Sequence, residues 1–420
     1  MIAPHTLPGE TLDGLAAGYG GPDGIRALWR GQHSRRLLLL KLLIERTGPS
    51  TDRDEAVAAI IAAEERDPAA RQVLVEPMVG RWAAATLRGM AGSGAPAEQT
   101  GHLGAVAAAA ALRAGTVAEL RGCARHGWLH VPAVGRIPVS RGDGPVRLST
   151  NRGRLVVDGV EFGPADRRWQ RRRTLLTGRG GNVVYLEDVD PYRDAYHVAA
   201  ADRLSTADFG TWTRLAADTW QVLTRHAPSR AAELAAGLHS LVPLRKPIAN
   251  AAHSATAREA VGVVGLDLPR DAADFAVALV HEFQHSKLSA VLDIVPLYRR
   301  ASDRTFFAPW RTDPRPIGGL LQGAYAFIAV ADVWHDLSSA PDAFPQAQRE
   351  FAEARAQVSD ALDTLAGSGL LTPTGERFLN GMRGSVERLR AVDLPTATDL
   401  AAQRVLALRR TAWDRANAAR

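Results

Sequence analysis

The sequence predicts an α+β fold that is predominantly helical, with a small antiparallel β block set between two helical parts. Three observations lead there. Residues 8–126 are Ala- and Leu-rich at helical spacing, residues 128–186 are short β-branched runs broken by Gly, Pro, Asn and Asp, and an apolar helix over 275–285 ends in two histidines. We divide the chain into a helical region, 1–126, and an α+β region, 127–420, that carries the histidine motif.

In the first region, Pro22-Asp23 opens a helix that runs to about Arg46 and stops at Gly48-Pro49. Thr51 or Asp52 caps the next, with acids in its first turn that suit the helix dipole. A third run covers Pro68 to Met90, Ala91 to Ala97 is a small-residue break, and Ala105 to Arg125 reads as one Ala-rich helix. In the second region, strands are expected at Leu129–Val131, Arg136–Val139, Val146–Leu148, Leu155–Val160 and Val183–Leu186. Between them, Arg167, Arg168, Arg171, Arg172 and Arg173 surround Trp169. They form either a solvated edge or a clamp for an acidic peptide. Asp188 to Arg193 reads as a structured loop, 205–242 as helix and Asn250 to Leu268 as extended chain that leads into the motif helix.

Composition narrows the function classes. With 46% hydrophobic and 23% charged residues, the chain has enough apolar content for a substantial core. The net charge of +6 permits an anionic partner, but no zinc knuckle or aromatic-interleaved basic stretch points to nucleic acid. Cys123 is the only cysteine, so no intramolecular disulfide forms, which fits a reducing compartment. Residues 1–10 lack the basic and apolar regions of a signal peptide, and the run Leu37–Ile44 is too short to span a bilayer. The expectation is a soluble cytoplasmic protein without membrane or nucleic-acid partners.

His281-Glu282-Phe283-Gln284-His285 is the chemically specific feature. Residues four apart share a helix face, so both imidazoles reach one metal ion while Glu282 points aside. Chance gives this pattern in such a composition about once in 100 sequences. A further ligand is needed. No Gly follows at which the helix could turn to deliver a third His, and Asp293 lies two turns away. The next helix, about Ile317 to Leu337, presents Gln322, Tyr325, Ala329 and Asp332 within one quadrant. Asp332 and Gln322 are therefore the two candidates for the third ligand. Arg311 and Arg315, in the Pro-rich loop before that helix, either brace the loop by salt bridges or hold a carboxylate bidentately.

Two chemistries fit. With zinc, Glu282 is the general base of a metallopeptidase. With Fe(II), two His and a carboxylate leave positions open for a co-substrate and O₂, and Arg311 or Arg315 anchors a 2-oxo acid.

The segments Pro22–Leu43, Ser254–Val264, His281–Asp293 (HEFQHSKLSAVLD) and Ala308–Trp334 (APWRTDPRPIGGLLQGAYAFIAVADVW) resemble the HExxH-motif domain of ribosomal-peptide maturation systems. That domain occurs alone or fused to radical SAM enzymes that install cyclophane crosslinks. The resemblance implies a non-haem iron, 2-oxoglutarate-dependent oxygenase that hydroxylates the β-carbon of a residue in a ribosomally made precursor peptide. It implies His281 and His285 as iron ligands, and a radical SAM maturase of the same pathway as a partner. It also implies a fold other than the double-stranded β-helix, whose H-x-D…H order this sequence lacks. Glu282 then orients a ligand or the peptide. Zinc peptidase chemistry with Glu282 as base is the alternative.

Overall fold

The computed structural model describes residues 5–92, 101–140, 142–177, 183–194, 196, 198–246, 254–299 and 303–417. Among the described residues, thirteen α-helices and four small sheets, with no closed barrel, follow the predicted helix, β block and helix order. The fold is predominantly helical α+β, as expected.

Helices α1 (Gly9–Ala16), α2 (Gly21–Thr47), α3 (Thr51–Arg66), α4 (Arg71–Leu74), α5 (Pro77–Ala91) and α6 (His102–Ala114) come first. Helix α2 starts with Pro at its first turn and stops at Gly48, whose φ of 74° is open to glycine. Ser50, rather than Thr51, caps α3 by accepting from the Arg53 amide. The run expected from Pro68 to Met90 is interrupted before Pro77, which begins α5. The helix expected to reach Arg125 ends at Ala114, because Gly115 takes a left-handed φ of 68°. The chain then leaves as strand β1 (Ala118–Ala124), which alternates in burial.

Strands β2 (Trp128–Val131), β3 (Gly135–Pro138), β4 (Gly144–Asn151), β5 (Arg154–Val157), β6 (Val160–Phe162), β7 (Gln170–Arg171), β8 (Arg173–Thr177) and β9 (Val183–Leu186) complete the β block. One sheet runs β1-β4-β5-β6 and another β2-β3-β7. One face of these strands is buried with α3, α5 and α6 in a core around Trp82, Leu129, Leu148 and Leu155. The arginine run is largely consumed inside this region. Arg172 pairs with half-buried Glu76, Arg173 with buried Asp188, Arg168 with Asp166, and Arg171 lies over the ring of Trp169, which is itself buried.

Helices α7 (Thr206–His226) and α8 (Pro228–Gly237) follow, and then strands β10 (Ser240–Pro243), β11 (Ser254–Thr256) and β12 (Val263–Leu266). Residues 240–242, expected to be helical, form a fully buried strand instead. The third sheet has the order β11-β12-β10-β9-β8, with β9, β10 and β12 mutually parallel and β11 antiparallel at one edge. Parallel pairing was not expected. It arises because helices separate these strands in sequence, as crossover connections require. Asn250 to His253, read as extended, lie outside the described residues, as do Ser93 to Ala97 of the expected break.

The motif helix is α9 (Ala272–Leu292), capped by Asp271, whose Oδ1 accepts from Ala273 N and Asp274 N at 2.9 Å each. Phe275, Leu279 and Phe283 of α9 pack on Val264 and Leu266 of β12 and on α7 and α8. Short strands β13 (Thr305–Phe306) and β14 (Arg315–Pro316) frame the Pro-rich loop. Helices α10 (Ile317–Ser338), α11 (Ala347–Ala366), α12 (Pro373–Arg390) and α13 (Thr396–Asn417) close the fold. Helix α10 is long and apolar enough to cross a bilayer, but it is 72% buried among the other elements and is a core helix.

Candidate metal centre

Helix α9 buries nearly its whole circumference, yet His281 and His285 stay half-buried on the side facing α10. Their Nε2 atoms converge to 3.1 Å. Two nitrogens bound at about 2.1 Å to one ion lie about 3.0 Å apart at a right angle and about 3.4 Å apart at a tetrahedral angle. The observed spacing fits a shared ion, on the right-angled side of that range. Burial, then the neighbouring His285 ring, pushes the His281 imidazole down to about 3, so at neutral pH it is the uncharged form that can ligate.

His285 is held from behind by α10. Its Nδ1 lies 3.0 Å from Gln322 Oε1, and Gln322 Nε2 donates to Ser289 Oγ at 3.3 Å. A carboxamide oxygen only accepts, so His285 carries its proton on Nδ1 and turns the Nε2 lone pair toward His281. This is the arrangement by which a second layer of residues fixes a metal-binding imidazole. Gln322, one of the two candidate ligands, is thus placed on the far nitrogen of His285. Asp332, the other, is engaged elsewhere, accepting from Arg230 Nη2 at 2.9 Å and from the Tyr19 hydroxyl. Among the described residues no cluster of three His, Cys, Asp or Glu side chains is suited to a metal. The donor set at this site is the histidine pair, with Glu282 beside it.

Glu282 is buried, with Oε1 4.0 Å from His281 Nε2. Strand β11 supplies both of its partners: Ser254 Oγ donates to Oε1 at 2.7 Å and Thr256 Oγ1 to Oε2 at 2.6 Å. Ser254 and Thr256 are two apart on a strand and so share a face, which lets one carboxylate take both hydroxyls. These two residues fall in the stretch read as extended chain, but their hold on Glu282 was not foreseen. No local pattern links positions 26 and 28 residues apart.

An aromatic wall completes the face. Phe327 of α10 meets His281 edge-on at 5.5 Å, and Trp310 stacks on Phe327 at 4.7 Å and 16°. Gly323 makes the stack possible, since a Cβ there would fall 2.1 Å from Trp310 Cζ2. Arg311 and Arg315 both bind Asp313, through its Oδ1 at 2.6 Å and its Oδ2 at 3.1 Å. The two differ in position. Arg315 Nε lies 3.0 Å from where a Cβ on Gly319 would be, one turn before Gln322 on α10, whereas Arg311 borders an outer groove with Trp413.

On the opposite side of α9, Lys287 is fully buried. Its Nζ donates to both oxygens of Glu233 and to the Gly18 carbonyl, each at 3.0 Å. Gln284 Nε2 donates to the same carbonyl at 3.0 Å, and Arg230 bridges Glu233 and Asp332. Two cations and two carboxylates thus balance behind the histidine pair. Compared with family models and with curated proteins, the sequence matches none.

Proposed function

We propose that this chain is a non-haem Fe(II), 2-oxoglutarate-dependent oxygenase that hydroxylates a β-carbon in a ribosomally made precursor peptide. The observation that carries the reading is the state of Glu282. Both of its oxygens accept hydroxyl protons, from Ser254 and Thr256, so it is a held group rather than a free base. The near right-angled spacing of the histidine nitrogens suits six-coordinate iron, and the resemblance of the His281–Asp293 and Ala308–Trp334 segments to HExxH peptide-maturation domains supports the same chemistry.

His281 and His285 would hold the iron, and Gln322 keeps the His285 proton on Nδ1. When bound, iron supplies the activation of O₂ that C–H oxidation requires. Arg315 is the better anchor for the distal carboxylate of 2-oxoglutarate, because its guanidinium packs on Gly319 of α10, one turn before Gln322. It would exchange Asp313 for the co-substrate, which leaves Arg311 on Asp313. Among the described residues strand β11 pairs only with β12, and an extended peptide would pair along its other edge, beside Glu282 and the histidines. A radical SAM maturase acting on the same peptide is the partner this reading implies.

One observation favours the zinc metallopeptidase alternative: Glu282 Oε1, at 4.0 Å from His281 Nε2, is within reach of a metal-bound water. A single assay separates the two. Protein loaded anaerobically with Fe(II) and a precursor peptide encoded beside it is exposed to O₂ with and without 2-oxoglutarate. Peptide mass should rise by one oxygen only when both are present. Peptide cleavage that proceeds with zinc and without O₂ would establish the peptidase and end the oxygenase reading.

A further inference from the structure

The arginine run around Trp169 is spent on internal partners, but two arginines outside it are not. Arg121 of β1 and Arg147 of β4 are directly paired in the antiparallel ladder. Both are exposed on the solvent face, while Leu120 and Leu148 beside them point into the core. Like charges directly opposite one another destabilise a sheet. Arg121 has only an exposed ion pair to Asp52 at 3.4 Å, and among the described residues the Arg147 guanidinium has no ion-pair partner. The two arginines border a cleft of 590 Å³, with Pro145, Val146, Asp158 and Gly159 as its other walls.

We propose that this cleft is a docking site for an acidic peptide segment, with a carboxylate clamped between Arg121 and Arg147. Opposed positions in a ladder have Cβ atoms about 5 Å apart, close enough for two guanidinium groups to grip one carboxylate. The cleft is several times larger than that group, so the ligand brings neighbouring residues with it. Asp158 decides which kind of anion fits. Its Oδ1 is occupied by the Arg147 amide at 3.0 Å, and its charge stays in the cleft wall. A peptide, with isolated carboxylates and amide N–H donors, tolerates that wall, whereas a phosphodiester chain is repelled by it. Among the described residues the walls also hold no aromatic ring on which a nucleobase could stack. The site lies on the β1-β4-β5-β6 sheet and needs no metal, so it stands apart from the oxygenase reading.

The test uses full-length metal-free protein and a fluorescein-labelled octapeptide of alternating Glu and Val, read by anisotropy. The expected result is saturable binding that weakens with salt and falls at least tenfold in the Arg121→Gln/Arg147→Gln protein. The thermal midpoint of that variant should match or exceed the wild type, since a like-charge pair has been removed. Unchanged binding by the double variant overturns the proposal, as does equal binding of an alternating Lys and Val octapeptide. Displacement of the acidic peptide by an eight-nucleotide oligothymidylate more readily than by unlabelled peptide also overturns it, in favour of a nucleic-acid site. Repeating the titration with His281→Ala keeps the outcome separate from that of the metal centre.

Discussion

The Gln322 carboxamide oxygen lies 3.0 Å from His285 Nδ1, so a residue of one core helix sets which nitrogen of the other helix's histidine is free. Replacing Gln322 by Leu removes the acceptor and leaves the imidazole free to change tautomer. We expect Fe(II) or Co(II) affinity, measured by anaerobic titration, to fall about 10- to 100-fold. Gln322→Glu keeps an acceptor and should retain affinity near wild type.

Glu282 is held by two hydroxyls that can reverse and donate to or accept from an amide equally well. Glu282→Gln should therefore retain at least about a tenth of 2-oxoglutarate-dependent turnover, since general-base catalysis alone is worth about 10²–10⁴-fold where it operates. A loss larger than a hundredfold, with metal still bound, would return Glu282 to the role of base.

Arg315 and Arg311 share Asp313 but not their distance from α10. Arg315→Gln should raise the KM for 2-oxoglutarate by about tenfold or more, the value of a lost charge-assisted pair. Arg311→Gln should leave that KM within about twofold. The reverse ranking, seen in initial-rate kinetics, would move the anchor to Arg311.

Lys287 and Glu233 form a buried ion pair with no access to solvent. Lys287→Met leaves Arg230 alone against the two carboxylates of Glu233 and Asp332 and should cost about 3–5 kcal/mol in urea unfolding. The double change Lys287→Met/Glu233→Leu should recover most of that loss, because neither charge remains to be solvated.

His102 packs between Trp82 and Tyr192, and burial pushes its imidazole down to about 3. The unfolded chain binds a proton near pH 6.5 that the folded one refuses. Stability from this residue is thus complete above pH 6.5 and drains away as pH falls toward 3. The limiting slope is about 1.4 kcal/mol per pH unit. Buried Glu187 and Asp190, raised to about 7 and about 6, act in the opposite sense. The informative quantity is therefore wild type minus His102→Phe. That difference should shrink as pH falls from 6.5 in paired denaturation curves, and a flat difference would refute the assignment.

The sequence carried the shared face of His281 and His285 openly, because four-residue spacing on a helix is a local fact. Most strands from 128 to 186 were equally legible from β-branched runs and turn residues. The run read as one strand over Leu155–Val160 is instead the hairpin β5–β6 turning at Asp158-Gly159, and β7 and β8 were not foreseen. What escaped was decided at long range. The grip of Ser254 and Thr256 on Glu282 depends on β11 pairing with β12 at the edge of a sheet. Asp332 looked like a ligand on its own helix, yet Arg230 on α8 takes it, and no periodicity announces that pairing. Gln322, offered as a candidate third ligand, does meet His285, but on Nδ1, and spacing cannot tell which imidazole nitrogen a residue meets. The helix read through to Arg125 failed at Gly115, where a long alanine run masked a single left-handed residue.

The turn between α1 and α2 has a consequence for how the chain acquires its shape. The Gly18 carbonyl receives Gln284 and Lys287 from α9, Ala17 O receives Ser385 Oγ, and Asp13 pairs with Arg377. Helix α1 and the turn after it thus meet the last of these partners 364 to 368 residues further along the chain. Such closures of high sequence separation are slow, and they leave Leu12 and Leu15 exposed during synthesis. The helix that carries the histidine pair is thus braced through Gly18 by a turn that itself closes on α12, so a chain cut before α12 would hold that helix less firmly.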